Sequence, residues 1–224
     1  VAALAHDAEV AIPAGKVHLG GHLTMPGEAA GVVVFAHGSG SSRMSPRNVA
    51  VARTLQDAGL ATLLFDLLTD DEARARANVF DVELLADRLV VATAWLQVTP
   101  AAPLPVGYFG ASTGAAAALW AAGAPDTDAR AVVSRGGRPD LAGPRLGGVQ
   151  APTLLIVGGA DDVVVQLNRE AAAQLRCEHR IEIVPDATHL FEEPGALETV
   201  AALATEWFND HLPAGPGGGK AAGA

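Results

Sequence analysis

Short apolar runs alternate along this chain with longer amphipathic stretches, and that rhythm constrains the fold more than any other feature. Gly31 to Ala36 (GVVVFA), Ala61 to Leu68 (ATLLFDLL), Val106 to Ala111 (VGYFGA), Ala131 to Ser134 (AVVS), Thr153 to Val157 (TLLIV) and Ile181 to Val184 (IEIV) read as strands. Strands covered on both faces show continuous apolar runs rather than alternation. Helices are predicted over Pro46 to Ala58, Asp81 to Gln97, Thr113 to Ala122, Val165 to Arg176 and Ala196 to His211. In the second of these, Val82, Leu85, Leu89, Ala92 and Leu96 recur at helical spacing. Ser45 is placed to cap the first, Pro46 to open it and Gly59 to close it. Val17 to Met25 alternates loosely and suits an edge strand or a hairpin. Strands alternating with helices of this length predict an α/β fold, a mostly parallel sheet with helices on both faces. In such a sheet, chemistry collects at the carboxyl ends of the strands.

Composition narrows the classes. Half of the 224 residues are hydrophobic and 18% are charged, a balance that excludes intrinsic disorder. One domain over residues 1–213 is expected, followed by a disordered tail over 214–224 (AGPGGGKAAGA), which has almost nothing to bury. Asp plus Glu is 25 against 15 Lys plus Arg, and a net charge of -10 repels phosphate backbones, so no nucleic-acid partner is expected. Cys177 is the single cysteine, which excludes an internal disulfide and a cysteine metal cluster. The longest apolar runs fall far short of the roughly 20 residues of a membrane helix, so no membrane partner is expected. The first dozen residues carry Asp7 and Glu9 and no basic leader, so no export signal is legible and a cytoplasmic location is expected.

The sharpest local signal is Gly110-Ala111-Ser112-Thr113-Gly114, a G-x-S-x-G that ends a predicted strand and opens a predicted helix. So tight a turn strains the serine backbone, lifts its hydroxyl clear of the sheet and leaves no room for side chains two positions either side. A glycine-rich helix start with a serine cap would also produce these residues. A serine hydroxyl becomes nucleophilic only when a base takes its proton. The order expected for such an elbow is serine, then a carboxylate, then histidine. Asp161, just past the strand Thr153 to Val157, and His189, in the loop after the last strand, follow that order. Asp162 and Asp186 are alternatives for the carboxylate, and Asp161 is preferred for its distance from the strand-end glycine. The oxyanion formed in acyl transfer needs two backbone donors. Thr113 N–H and Ser39 N–H are the candidates, the latter in the loop after the first buried strand.

Taken together, His37-Gly38-Ser39-Gly40-Ser41-Ser42-Arg43, Gly110 to Gly114, Gly158-Gly159-Ala160-Asp161 and Ala187-Thr188-His189 resemble the α/β-hydrolase superfamily, and within it the dienelactone-hydrolase-like group. The resemblance runs from about Val17 to Leu212. It implies a Ser112–Asp161–His189 triad, an oxyanion hole from the backbones of Ser39 and Thr113, and neither cofactor nor metal. The enzymes that name the group carry a cysteine nucleophile where this chain has Ser112. The expected substrate is therefore a small carboxylic ester rather than dienelactone, with a thioester or an amide as alternatives on the same triad.

Arg43, Arg135 and Arg138 sit near predicted strand ends, where a guanidinium could hold a substrate carboxylate or phosphate, or simply tie down a loop. Asp66 is positioned to pair with one of them. His37 is expected to brace the oxyanion loop. His18 and His22 fall on one side of a strand without a third metal ligand. The path from Ser134 to Thr153 has room for a loop and a short helix, so a minimal lid is expected. Pairing with a second copy of the chain is left open. A dinucleotide-binding domain is a rival, because Gly38-Ser39-Gly40 follows a strand and Asp66 ends the next. There the third glycine is replaced by Arg43, which would crowd a pyrophosphate. A non-catalytic protein on the hydrolase scaffold is the other rival.

Overall fold

The structure is a computed structural model that describes residues 4–212; the tail expected over 214–224 lies outside the described residues. Eight strands form one sheet in the order β1-β2-β4-β3-β5-β6-β7-β8. They are β1 (Leu4–Ala14), β2 (Val17–Pro26), β3 (Val32–Ala36), β4 (Ala61–Phe65), β5 (Val106–Ala111), β6 (Ala129–Arg135), β7 (Thr153–Gly158) and β8 (His179–Val184). From β4 through β8 every pairing is parallel, while β1 and β2 form an antiparallel hairpin joined to β4. The looser alternation of Val17 to Met25 is thus a hairpin strand, and the sheet edge belongs to β1, which the sequence reading did not assign. Its residues are half-exposed and interrupted by Asp7, Glu9 and Pro13, so no apolar run marks it.

The helices are α1 (Pro46–Asp57), the single turns α2 (Asp70–Ala73) and α3 (Arg76–Val79), α4 (Val82–Leu96), α5 (Thr113–Ala122), α6 (Gly143–Leu146), α7 (Asp162–Ala172) and α8 (Ala196–His211). A 3-10 turn, Pro139–Ala142, precedes α6, and this pair is all that fills the expected lid path. Successive residues of β3 face opposite layers, as a strand requires. Val32, Val34 and Ala36 pack with α4, α5 and α7, whereas Val33 and Phe35 pack with α1 and α8. Helix α5 is buried along nearly its whole length, and its alanines let it lie close against the sheet. The Ser45 cap forms as expected, and Asp81, read as the first residue of its helix, is the cap of α4. Ser45 Oγ accepts from Asn48 N–H and Asp81 Oδ1 accepts from Leu84 N–H. The strand predicted over Ala61 to Leu68 ends early: β4 stops at Phe65, and Asp66 accepts a hydrogen bond from the neighbouring loop at Arg43 N–H. No helix among the described residues is long and apolar enough to cross a membrane.

Topology fixes where a site can form. From β3 the chain moves outward through α1 to β4, then crosses back over β3 through α4 to β5 and continues the other way. The loops leaving β3 and β5 therefore diverge at a switch point, which opens a crevice at their carboxyl ends.

Candidate active site

Ser112 stands at the tip of β5 with φ 51° and ψ -119°, in the sparsely populated region that marks a strained turn. The flanking glycines are steric necessities. A Cβ on Gly110 would lie 2.6 Å from the Gly114 carbonyl oxygen, and one on Gly114 would lie 2.5 Å from that of His37. The α5 helix starts at the next residue, and Ser112 N–H donates to the Arg135 carbonyl, tying the elbow to the end of β6.

Two further loops bring the other candidates to it. His189, in the loop after β8, receives the Ser112 hydroxyl at its Nε2, 3.3 Å away, and donates Nδ1–H to Asp161 Oδ2 at 2.8 Å. Asp161 is also the N-cap of α7, its Oδ1 accepting from Val164 N–H at 3.4 Å. One carboxylate oxygen is thus held by the positive end of a helix and the other by the histidine. All three side chains are half-buried, open enough for a substrate to enter. Asp162 opens α7 and is exposed, and Asp186 is exposed with φ 58°.

The loop after β3 closes the site from the opposite side. Gly38 approaches Ser112 so closely that a Cβ there would sit 3.2 Å from the serine Cβ. His37 braces this loop as expected. Its Nδ1–H donates to the Gly38 carbonyl, and its Nε2 accepts from Leu67 N–H at 3.1 Å. Burial pushes its pKa down, which keeps the ring in the neutral form that this donor–acceptor pair needs. Ser39 N–H, expected to face the oxyanion directly, instead donates to the Thr113 hydroxyl at 2.8 Å. The sequence reading used only the Thr113 backbone, and the hydroxyl beside the nucleophile was the signal available for this contact.

The arginines divide. Arg43 is neutralised: its backbone N–H donates to Asp66 Oδ1, and its guanidinium reaches Asp66 Oδ2 at 3.4 Å and Glu9 Oε2 at 3.0 Å. It lines the cavity that contains Ser39 and Thr113 rather than the one that contains Ser112. Arg138 makes a two-pronged pair with Asp140, both contacts 2.8 Å, which raises its pKa. Arg135 is only 7% exposed, and its Nε and Nη1 find no hydrogen-bond partner among the described residues. Its guanidinium lies 5.9 Å from the centre of the Phe191 ring. Burial, with the nearby Arg47 charge, pulls its pKa down to about 10. Arg47 was not singled out in the sequence, because it sits one residue into a helix rather than at a strand end.

Two cavities flank the loop. One, about 380 Å³, contains Ser39 and Thr113, with Leu67, Leu68, Val79 and Leu85 as its apolar part and Arg43, Asp66 and Asp70 as its charged part. The other, about 240 Å³, contains Ser112, His189, Arg47, Asn48 and Arg135. Among the described residues, no group of three or more His, Cys, Asp or Glu side chains is arranged to hold a metal ion. His22, away from the serine, contacts Asp7 at 2.6 Å and Glu9 at 3.0 Å on the hairpin.

A parallel sheet with a nucleophile elbow after β5 and helices on both faces is the α/β-hydrolase fold. The chain belongs to the dienelactone hydrolase family, whose profile matches residues 19–212. The crystal structure of a dienelactone hydrolase from Anabaena variabilis superposes with a TM-score of 0.89 at 56% identity, covering 92% of this chain and 98% of that one. Est1E from Butyrivibrio proteoclasticus shares the fold, with a TM-score of 0.78 at 16% identity over 90% of this chain and 98% of its own. A Mycobacterium tuberculosis protein named "Putative phosphoribosyl transferase" is 64% identical over 212 residues, 94% of this chain and 48% of its own length. The chain thus spans about half the length of the curated relatives it matches.

Proposed function

We propose that this protein is a serine hydrolase that cleaves small carboxylic esters through an acyl-enzyme on Ser112. The observation that carries the reading is His189, hydrogen-bonded to Asp161 through one ring nitrogen and to Ser112 through the other. In this mechanism His189 Nε2 takes the Ser112 proton as Oγ attacks the ester carbonyl. Asp161 holds the ring by its Nδ1–H and stabilises the imidazolium. The carbonyl oxygen becomes an oxyanion, which the N–H groups of Thr113 and Ser39 stabilise. Ser39 N–H, which donates to the Thr113 hydroxyl in the free site, turns to the oxyanion at this point. His189 then gives its proton to the departing alkoxide, leaving the acyl group on Ser112. Water, deprotonated by the same histidine, attacks the acyl carbon and frees the acid and the serine. These residues support a mechanism without a cofactor or a metal.

The Leu67, Leu68, Val79 and Leu85 part of the cavity beside Ser39 and Thr113 suits an aliphatic or aromatic portion of the ester, and the short Pro139–Leu146 segment leaves little surface for a long lipid chain. The transferase name of the mycobacterial relatives is attached to chains about twice this length. We read it as describing a part of those proteins that this chain does not match.

A fluorophosphonate probe tests the reading. One adduct is expected on Ser112 by peptide mapping, with labelling lost in His189→Ala. Replacing Ser112 with Ala should lower kcat for a 4-nitrophenyl ester by about 10³-fold or more with the fold retained. A folded protein that takes no adduct, or a Ser112→Ala variant that keeps its rate, overturns it.

A further inference from the structure

The Thr113 hydroxyl has a proton with nowhere to go. Its Oγ1 accepts the Ser39 N–H at 2.8 Å, and among the described residues no oxygen or nitrogen accepts from it in return. Other threonines in the helices place that proton on the carbonyl one turn back. Thr54 donates to Ala50, Thr93 to Leu89, Thr199 to Gly195 and Thr205 to Ala201. Thr113 is the first residue of α5, and four positions back lies Phe109 in the strand β5, so no helical carbonyl is on offer. The residue is only 4% exposed, which keeps bulk water from serving instead. A buried hydroxyl that accepts a hydrogen bond and gives none is held ready for an acceptor.

Its place in the site says which acceptor. Gly38, Ser39 and Ser41 line both cavities, whereas Thr113 lines one of them and Ser112 the other. The bond between Ser39 and Thr113 therefore stands on the partition between the two. Of the two backbone donors expected for the oxyanion, one belongs to Thr113 itself and the other, Ser39 N–H, is aimed at the Thr113 hydroxyl. A hydroxyl one hydrogen-bond length from a donor that must turn to the oxyanion lies within reach of that oxygen too. In the empty site the same contact keeps Ser39 N–H from being left bare, which is costly away from water.

We propose that Thr113 is a catalytic residue through its side chain as well as its backbone, its hydroxyl donating a third hydrogen bond to the oxyanion. This rests on the serine-hydrolase reading and deepens it at the same site. In the free enzyme the hydroxyl accepts from Ser39 N–H. As Ser112 Oγ attacks and the carbonyl oxygen gathers charge, Ser39 N–H turns to that oxygen and the hydroxyl turns its own proton to it. No proton leaves Thr113. One hydrogen bond inside the protein is exchanged for two to the oxyanion. The gain exists only once the charge has formed, so it lowers the barrier without tightening the binding of the ester.

The test replaces Thr113 by Val, which keeps the shape and removes the hydroxyl, and by Ser, which keeps the hydroxyl and removes the methyl. Turnover of 4-nitrophenyl butyrate is measured alongside inhibition by propyl trifluoromethyl ketone. Ser112 Oγ adds to the carbonyl carbon of that ketone while His189 takes the serine proton, which leaves an oxyanion on the former carbonyl oxygen. In Thr113→Val, kcat is expected to fall by about 10–100-fold with KM within about two-fold of wild type. The inhibition constant of the ketone should rise by about the factor by which kcat falls. Thr113→Ser is expected to keep both within about three-fold of wild type. Where Thr113→Val does not fold by circular dichroism, Thr113→Ala takes its place against the same serine variant. A kcat unmoved by loss of the hydroxyl overturns the proposal. So does an equal fall in Thr113→Ser, because the methyl would then be what matters, and so does a loss carried by KM alone with ketone inhibition unchanged. Fluorophosphonate labelling keeps the two readings apart. A wild type that takes no adduct and turns over no ester sinks the hydrolase reading and this role with it. A labelled, active enzyme indifferent to the Thr113 hydroxyl sinks this role alone.

Discussion

The two sides of the loop that follows β3 treat the same side chain in opposite ways. On one side Arg43 is neutralised within the protein, by Asp66 and by Glu9. On the other, Arg135 is more deeply buried and meets only a ring face and another arginine. The first arrangement is self-sufficient and ties the hairpin to the loop. The second is incomplete by electrostatics, and it adjoins the serine. Burial of a charge therefore says little about its role until its counter-charge is located, and a missing one is the more informative case.

The chemical step should belong wholly to the Arg135 side, and Asp161→Asn tests this with the largest effect. Asn caps helices as well as Asp, so α7 should stay folded. The amide cannot hold His189 in the same protonation pattern, and kcat should fall by roughly 10²–10⁴-fold. Asp162→Asn, altered one position along at an exposed side chain, should stay within about two-fold of wild type. Comparable losses in both variants would dissolve the assignment of the carboxylate. A much smaller effect is expected from Arg43→Gln. Its part-exposed ion pairs are worth about 1 kcal/mol, or about 2–4 °C in the thermal midpoint by calorimetry. The kcat for a 4-nitrophenyl ester should stay within about two-fold of wild type. A loss of kcat as large as that of Asp161→Asn would place the chemical step on both sides of the loop and erase the contrast.

Much of this was legible in the sequence, for identifiable reasons. Gly110 and Gly114 are demanded by backbone collisions that any sequence with this elbow must avoid, so the motif announced its own geometry. Asp161 was preferred over Asp162 from its distance to the strand, and the cap geometry of α7 shows why that distance matters. The buried strands were visible because they are covered on both faces. The hairpin strand β1 was not, because it lies at the edge and mixes charges with apolar residues. Helix α7 begins at Asp162 rather than Val165, since the capping carboxylate starts the helix before the apolar pattern does. Arg43 and Arg135 looked alike in the sequence. Only the positions of Asp66 and Glu9, brought near by β4 and by the hairpin, separate them. The Ser39 N–H bond had one sequence signal, the hydroxyl of Thr113 beside the nucleophile, but its partner is 74 residues away and only the fold pairs them.

The smallest effect probes how the self-sufficient side is built. Glu9 bridges Arg43 and His22, and Asp7 closes the cluster. The hydrogen bond to Asp7 raises the His22 pKa, burial opposes it, and the hydrogen bond to Glu9 adds to the rise, while the His22 contact lowers the pKa of both acids. A histidine whose pKa rises on folding stabilises the protein fully below its unfolded value of about 6.5 and loses that contribution as pH rises through the folded value. The two acids add stability above their unfolded values and lose it as pH falls. The cluster should therefore contribute most between about pH 4.5 and 6.5. His37 has the opposite sign: its pKa falls on folding, so its contribution is present above about pH 6.5 and is lost on acidification. In His22→Gln the thermal midpoint should drop by about 1–3 °C near pH 5.5, as befits largely exposed pairs, and by less near pH 8. A deficit that grows with pH would mean that His22 folds in as a neutral ring. The Arg43 network would then hold the hairpin through Glu9 alone.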